Sequence, residues 1–312
     1  MYRQYLVVIA ILFLVGIMMF LKKTDNVNAN DWENHLVFKI NREDPRAHFH
    51  FYESEKYAQI NDPNKSKYFI SLNGKWKFNL SKNPDERPID FYKDDFNDSD
   101  WRLINVPGHW ELQGWSKPIY LDEEYPFPAD PPNIPRKKNE VGSYRKSFQH
   151  PVYWRGRDVF IRFSGIRSAF YLWVNGQKVG YSQGSKTPAE FNISTYVKNG
   201  QNSISVEVYK FSDGSYLEGQ DTWRLSGIER GVYVYSVPET RMVDFKVHSG
   251  LDSSLKNGEF KLGVDLYSSE KNNGKHVISA ILSKEKESRN SRIVLDSTIK
   301  AKIIDKQTIW FK

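Results

Sequence analysis

The 312-residue chain contains no cysteine and only four methionines. Without thiols it has no disulfide framework, no cysteine zinc site and no thiol nucleophile, while an oxidising compartment remains open to it. Also missing are a Gly-rich loop leading into a helix, a His-Glu-x-x-His motif and a Gly-x-Ser-x-Gly elbow. The familiar signatures of phosphate cradling, zinc proteolysis and serine hydrolysis are thereby excluded. No block of like charge occurs. The 45 Lys and Arg and 38 Asp and Glu leave a formal charge of +7, but both signs are interleaved along the chain. That pattern reads as a solvated surface and not as a nucleic-acid footprint. Seven His are scattered, and His48, His50 and His109 belong to no recognisable metal-ligand motif, so they read as structural.

What is abundant is aromatic. Nine Trp, eighteen Tyr and nineteen Phe favour strands and flat, stackable surfaces. Tyr5 to Leu21 is an unbroken apolar run flanked by Arg3 and by Lys22 and Lys23. It reads as an apolar signal or anchor helix, so residues 1–29 are expected to be either a signal peptide, cut near Val27-Asn28-Ala29, or a membrane anchor. Either way the remainder is expected to be exported, periplasmic or extracellular. The only expected membrane contact is through residues 5–21.

The fold class expected is all-β. Residues 30–67 read as an extended arm laid over a domain. Short alternating runs follow at Lys75–Leu80, Asp158–Phe163, Ala169–Val174, Ser203–Tyr209 and Gly231–Tyr235, each suited to a strand with one buried face. In the fourth, Ile204, Val206 and Val208 point one way and Ser205, Glu207 and Tyr209 the other. Asn175-Gly176 supplies the two positive φ angles of a type I′ turn, predicting a tight hairpin. Long Pro-rich connections, especially Val106 to Val141, suit a jelly-roll β-sandwich over residues 68–237. Past Pro238 the strands Val243–His248, Glu259–Tyr267 and His276–Ser283 resemble an immunoglobulin-like sandwich. Only 74 residues remain from Glu239 to Lys312, against about 100 for such a unit, so residues 238–312 are expected to be an incomplete one.

The segment Phe211 to Arg230 (FSDGSYLEGQDTWRLSGIER) concentrates acids, glycines and aromatics just after a strand. It reads either as a solvated connection or as a binding loop. In the second reading Trp223, Leu225 and Ile228 anchor the loop to a core, leaving Asp213, Glu218 and Asp221 to accept hydroxyl hydrogen bonds or to bind a hard cation.

Ser212-Asp213-Gly214-Ser215-Tyr216-Leu217-Glu218 and Gln220-Asp221-x-Trp223-Arg224-x-Ser226-Gly227-Ile228 resemble the end of the sugar-binding domain of family-two β-galactosidases. Ordered matches upstream include Asp31-Trp32-Glu33-Asn34, Val106-Pro107-x-His109-Trp110, Pro118-Ile119-Tyr120, Pro131-Pro132-x-Ile134-Pro135 and Ala169 through Gly176. The resemblance implies a jelly-roll sugar-binding domain, then an immunoglobulin-like domain, then a (β/α)₈ barrel carrying the acid/base and nucleophile glutamates of a retaining glycosidase. No catalytic residue is therefore expected in this chain. Asp221 matches the aspartate that binds the galactosyl 6-hydroxyl and a sodium ion, and Asp122 stands where the family has a substrate-touching asparagine. An amide that donates and accepts has become an acceptor-only carboxylate. The resemblance further implies sodium and magnesium for the complete enzyme, with barrel ligands needed beside Asp221 for the sodium. The partners implied are β-galactoside sugars and either a homo-oligomer or a separate barrel-containing polypeptide. Three roles stay open: the amino-terminal part of a β-galactosidase, inactive alone; a non-catalytic carbohydrate-binding or complementing module; or a truncated relic.

Overall fold

The computed structural model describes residues 30–268, 275–284, 292–303 and 305–311. The apolar run at 5–21 and the turn Lys271-Asn272-Asn273-Gly274 lie outside them. Among the described residues no helix is long and apolar enough to cross a membrane.

The chain is all-β. Its strands are β1 (Lys39–Ile40), β2 (Phe69–Ser71), β3 (Gly74–Ser81), β4 (Arg102–Val106), β5 (Ile119–Leu121), β6 (Val141–His150), β7 (Asp158–Phe163), β8 (Ile166–Arg167), β9 (Ala169–Val174) and β10 (Gln177–Gln183). They continue with β11 (Ala189–Asn192), β12 (Gly200–Tyr209), β13 (Thr222–Arg224), β14 (Gly227–Ile228) and β15 (Val232–Val237). A seven-stranded sheet in the order β1-β10-β9-β12-β6-β3-β4 faces a four-stranded sheet in the order β11-β7-β15-β2. Between them lies one core in which Trp76, Tyr144, Phe170, Leu172 and Val206 meet Ile161, Phe163, Phe191 and Val234. The β9–β10 hairpin turns on Asn175 (φ 50°) and Gly176 (φ 78°), the positive pair expected of Asn-Gly.

The expectation of one buried face holds on β3, where Trp76 and Phe78 are buried between more open neighbours, but fails on β7 and β15 and, in the seven-stranded sheet, on β9 and β12. On β12, Ser205, Glu207 and Tyr209 are as deeply buried as Ile204, Val206 and Val208. A second apolar layer covers the outer face, where Tyr171, Trp173, Tyr181 and Tyr209 pack beneath Trp32, Phe91, Ile134 and Phe211. Trp32 belongs to the arm and stacks on Tyr209 with ring centroids 5.0 Å apart. A polar-looking face therefore carries long aromatic side chains that only a distant segment can cover.

The arm is also more structured than an extended strap. It contributes β1, paired to β10 through Lys39 and Ile40, and a one-turn helix at Glu55–Ile60. His48 and His50 sit in non-strand backbone with rings 4.9 Å apart. Arg46 enters the outer face of the four-stranded sheet. There its guanidinium and that of Arg162 share the carboxylate of Glu190, at 2.8 and 3.1 Å. All three side chains are nearly sealed from water, which makes the pairing obligatory.

Beyond Val237 the strands β16 (Arg241–Leu251), β17 (Gly258–Ser268), β18 (Lys275–Lys284), β19 (Arg292–Lys302) and β20 (Asp305–Phe311) form a three-stranded sheet, β16-β17-β20, and the ribbon β18-β19. A small core of Val264, Leu266, Ile303, Ile309 and Phe311 lies with them. The Ala47 N–H donates to Asp244 at 2.8 Å, and Arg241 pairs with Asp158 at 2.6 Å, joining this unit to the arm and to the sandwich.

Candidate functional site

The segment that follows β12 is held at both ends. At its start, the Asn139 side chain accepts from the Phe211 N–H and donates to the Phe211 carbonyl, both at 2.9 Å. Ser212 and Ser215 then form a capping box on the short 3₁₀ turn Asp213–Tyr216. At the other end the Ser226 N–H donates to the buried Glu111 carboxylate at 2.9 Å. Gly227 follows at φ +116°, where an added Cβ would stand 2.7 Å from the Trp110 indole nitrogen. Only glycine offers both that backbone and that clearance.

Between these anchors the chain makes β13, which pairs with β5: Thr222 opposite Leu121, Trp223 opposite Tyr120 and Arg224 opposite Ile119. Continuing this antiparallel register by one step sets Asp221 opposite Asp122. The two residues expected at the site, distant in sequence, each stand one residue past the last observed pair of the ribbon. Both are exposed. Two carboxylates so placed repel each other unless a donor lies between or beside them. One donor is present, because the Tyr120 hydroxyl donates to Asp221 Oδ1 at 2.5 Å. That hydrogen bond and the charge of Asp221 raise the Tyr120 phenol above its ordinary range.

The loop's other acids are not available for binding. Glu218 turns inward and accepts from the Ser185 N–H at 2.8 Å and from the Ser185 hydroxyl. Asp213 accepts from Gln183 at 2.6 Å, and burial raises its carboxyl above the usual range despite that bond. The expectation that Asp213, Glu218 and Asp221 are all left for a ligand is therefore corrected to Asp221 alone. Trp223 does not anchor the loop either. It is 54% exposed and lies against the ring of Tyr120, itself 52% exposed, at a centroid distance of 5.2 Å. The anchors are Ile228 and Arg224, both buried. The alternation of the ribbon explains this, since Arg224 points in and its neighbour Trp223 must point out.

Residue-by-residue reading missed the parts played by Tyr120 and Arg224. Tyr120 lies in the Pro118-Ile119-Tyr120 stretch, whose spacing carries no hint of a partner a hundred residues on. Among the described residues no group of three or more His, Cys, Asp and Glu is arranged to hold a metal ion. Asp221 and Asp122 therefore do not by themselves make a cation site. What the ribbon end can do is accept hydrogen bonds from hydroxyl groups beside an exposed aromatic surface.

Residues 69–238 match the model of the sugar binding domain of glycosyl hydrolases family 2. The chain belongs to that family. The family 2 chain is 43% identical over 241 residues to a β-galactosidase of Priestia megaterium, which covers 76% of this chain and 23% of the relative. It is 42% identical over 247 residues to a β-galactosidase of Clostridium acetobutylicum, covering 78% of this chain and 27% of the relative. The chain thus spans about a quarter of the length of these relatives. In fold it is similar to a family 2 member from Bacteroides cellulosilyticus, with a TM-score of 0.57 at 23% identity over 78% of this chain and 31% of that one. It is likewise similar to Bacteroides uniformis β-glucuronidase 2, with a TM-score of 0.58 at 18% identity over 78% of this chain and 27% of that one.

Proposed function

We propose that this family 2 chain supplies the sugar-gripping wall of an exported β-galactosidase, with Asp221 and Asp122 accepting hydrogen bonds from galactosyl hydroxyls. The observation that supports the reading is the β5–β13 register, which leaves Asp122 and Asp221 each one residue past its last pair in a chain about 40% identical to β-galactosidases. In this reading the two facing sheets are the family's jelly roll, and the sheets beyond Val237 belong to an immunoglobulin-like domain. The apolar run at 5–21 supports export.

Hydrolysis with retention needs a proton donor at the leaving oxygen and a second carboxylate to attack, about 5 Å from the first. We assign both to a barrel outside this chain, which would also complete a sodium site at Asp221. The half-exposed faces of Tyr120 and Trp223, beside the acids, support a second form of the reading in which a separate polypeptide brings the barrel. Purified chain incubated with a chromogenic β-galactoside is expected to show no appreciable turnover. Turnover that is abolished by Asp221→Ala would overturn the assignment.

A further inference from the structure

The two segments that carry Asp122 and Asp221, paired through β5 and β13 and bonded through Tyr120, also share one buried side chain. Arg224 is buried, and among the described residues no carboxylate is bonded to its guanidinium, which donates to backbone oxygens and one hydroxyl. One nitrogen donates to the Gln220 carbonyl at 2.8 Å, to the Thr222 carbonyl at 2.6 Å and to the Thr222 hydroxyl at 3.2 Å. The other donates to the Gly219 carbonyl and to the Glu124 carbonyl at 3.4 Å. Those acceptors bracket Asp221, which Gln220 and Thr222 flank, and reach the other segment at Glu124, just past Asp122.

A planar fork of fixed donors can gather converging carbonyls from two strands, which a flexible ammonium cannot do with the same precision. A second guanidinium reinforces the arrangement. Arg167 donates to the Trp223 carbonyl at 3.0 Å and to the Glu218 carbonyl at 3.3 Å. With the carbonyls drawn inward, the Asp221 side chain is left outside, within reach of Tyr120. Two buried cations without bonded anions carry a desolvation cost that a loop serving only as a connection would have no reason to bear.

We propose that Arg224 is the positioning residue of this site, tying the segments that carry Asp221 and Asp122 into one rigid acceptor for galactosyl hydroxyls. The proposal rests on the sugar-binding reading for its purpose, but not for its geometry. Three variants of the full chain test it: Arg224→Ala, Arg224→Lys and Asp221→Ala. Circular dichroism and thermal melting establish that each is folded.

Hydrogen exchange read by mass spectrometry is expected to rise ~10-fold in Arg224→Ala for peptides covering 119–126 and 216–224, with the sandwich strands unchanged. Ethylguanidinium, and not sodium chloride at the same ionic strength, restores protection, while Arg224→Lys recovers it only partly. Binding of methyl β-galactoside, where the wild-type chain shows it, weakens ~10-fold or more in Arg224→Ala, since a displacement of about 1 Å is enough to cost that much. Tyr120 should also ionise at lower pH in this variant, because it loses its fixed place beside Asp221, a change that general loosening elsewhere would not produce. Wild-type exchange in both peptides of Arg224→Ala overturns the proposal. If exchange changes as stated but neither wild-type chain nor Asp221→Ala responds to the sugar, the positioning stands and the sugar-binding reading falls.

Discussion

The hydroxyl of Tyr120 donates to the carboxylate of Asp221 across the β5–β13 ribbon, at 2.5 Å and 101 residues apart in sequence. The bond does for Asp221 what a sugar hydroxyl would do, and it couples a phenol's ionisation to that acid. Asp221→Asn removes the negative charge and weakens the acceptor, so Tyr120 should titrate closer to its ordinary value of 10.0. Ultraviolet difference titration, with Tyr120→Phe as the blank, reads the shift. An unchanged tyrosine titration would show that the two side chains are not bonded in solution.

Glu190 is held by two guanidiniums in a nearly sealed place. Burial alone would raise its carboxyl, but the bonds and charge of Arg46, with Arg162, hold it below the usual range. A depressed carboxyl contributes stability that is complete above its unfolded value and lost as pH falls through the folded one. Glu190→Gln leaves two buried cations short of an anion and should cost about 3–5 kcal/mol in urea unfolding at pH 7. The difference from wild type should shrink in acid as the wild-type carboxylate is protonated.

His50 acts in the same direction through a different cause. Burial first, then the charges of His48, Arg162 and Arg46, lower its imidazole from 6.5 to about 4. Between those values the unfolded chain binds the proton that the folded chain refuses, so stability falls as pH drops from 6.5 to about 4. His50→Phe cannot take a proton, and its unfolding free energy should depend less steeply on pH through that window. Equal slopes for the two proteins would remove His50 from the account.

Trp32 lies on the outer face of the seven-stranded sheet, 1% exposed, although it belongs to the arm. Truncating a buried indole removes a large apolar contact and leaves a cavity, so Trp32→Ala should cost about 3–5 kcal/mol. Loss of the near-ultraviolet circular dichroism contributed by the stacked Trp32 and Tyr209 should accompany it. A melt indistinguishable from wild type would mean that the arm is not seated there.

Local chemistry made some of this legible. Asn175-Gly176 announces its hairpin because few other pairs accept two positive φ angles, and the alternating runs locate the strands because a pleat repeats every second residue. Longer-range facts were hidden. The outer face of β12 reads as polar until Trp32 is found above it. Glu218 reads as a free acid until Ser185 is found beneath it, and Trp223 reads as an anchor until its pairing with Tyr120 turns it outward. In each case the deciding partner is far along the chain, where spacing carries no information. Asp122 and Asp221 were singled out by motif resemblance, while their place at one ribbon end became visible only in the pairing of strands.

The bond from Ala47 to Asp244 spans 197 residues, and between its ends lies every strand of the sandwich except β1. On the ribosome the strap is therefore made early and fastened late. Arg46 can reach Glu190 once the sandwich has emerged, but its neighbour must wait for β16 before it is seated. One of the two ties between the units thus runs through a stretch made before most of either, so a nick between β1 and Arg46 should loosen the second unit's hold and leave the Arg241–Asp158 pair to carry it.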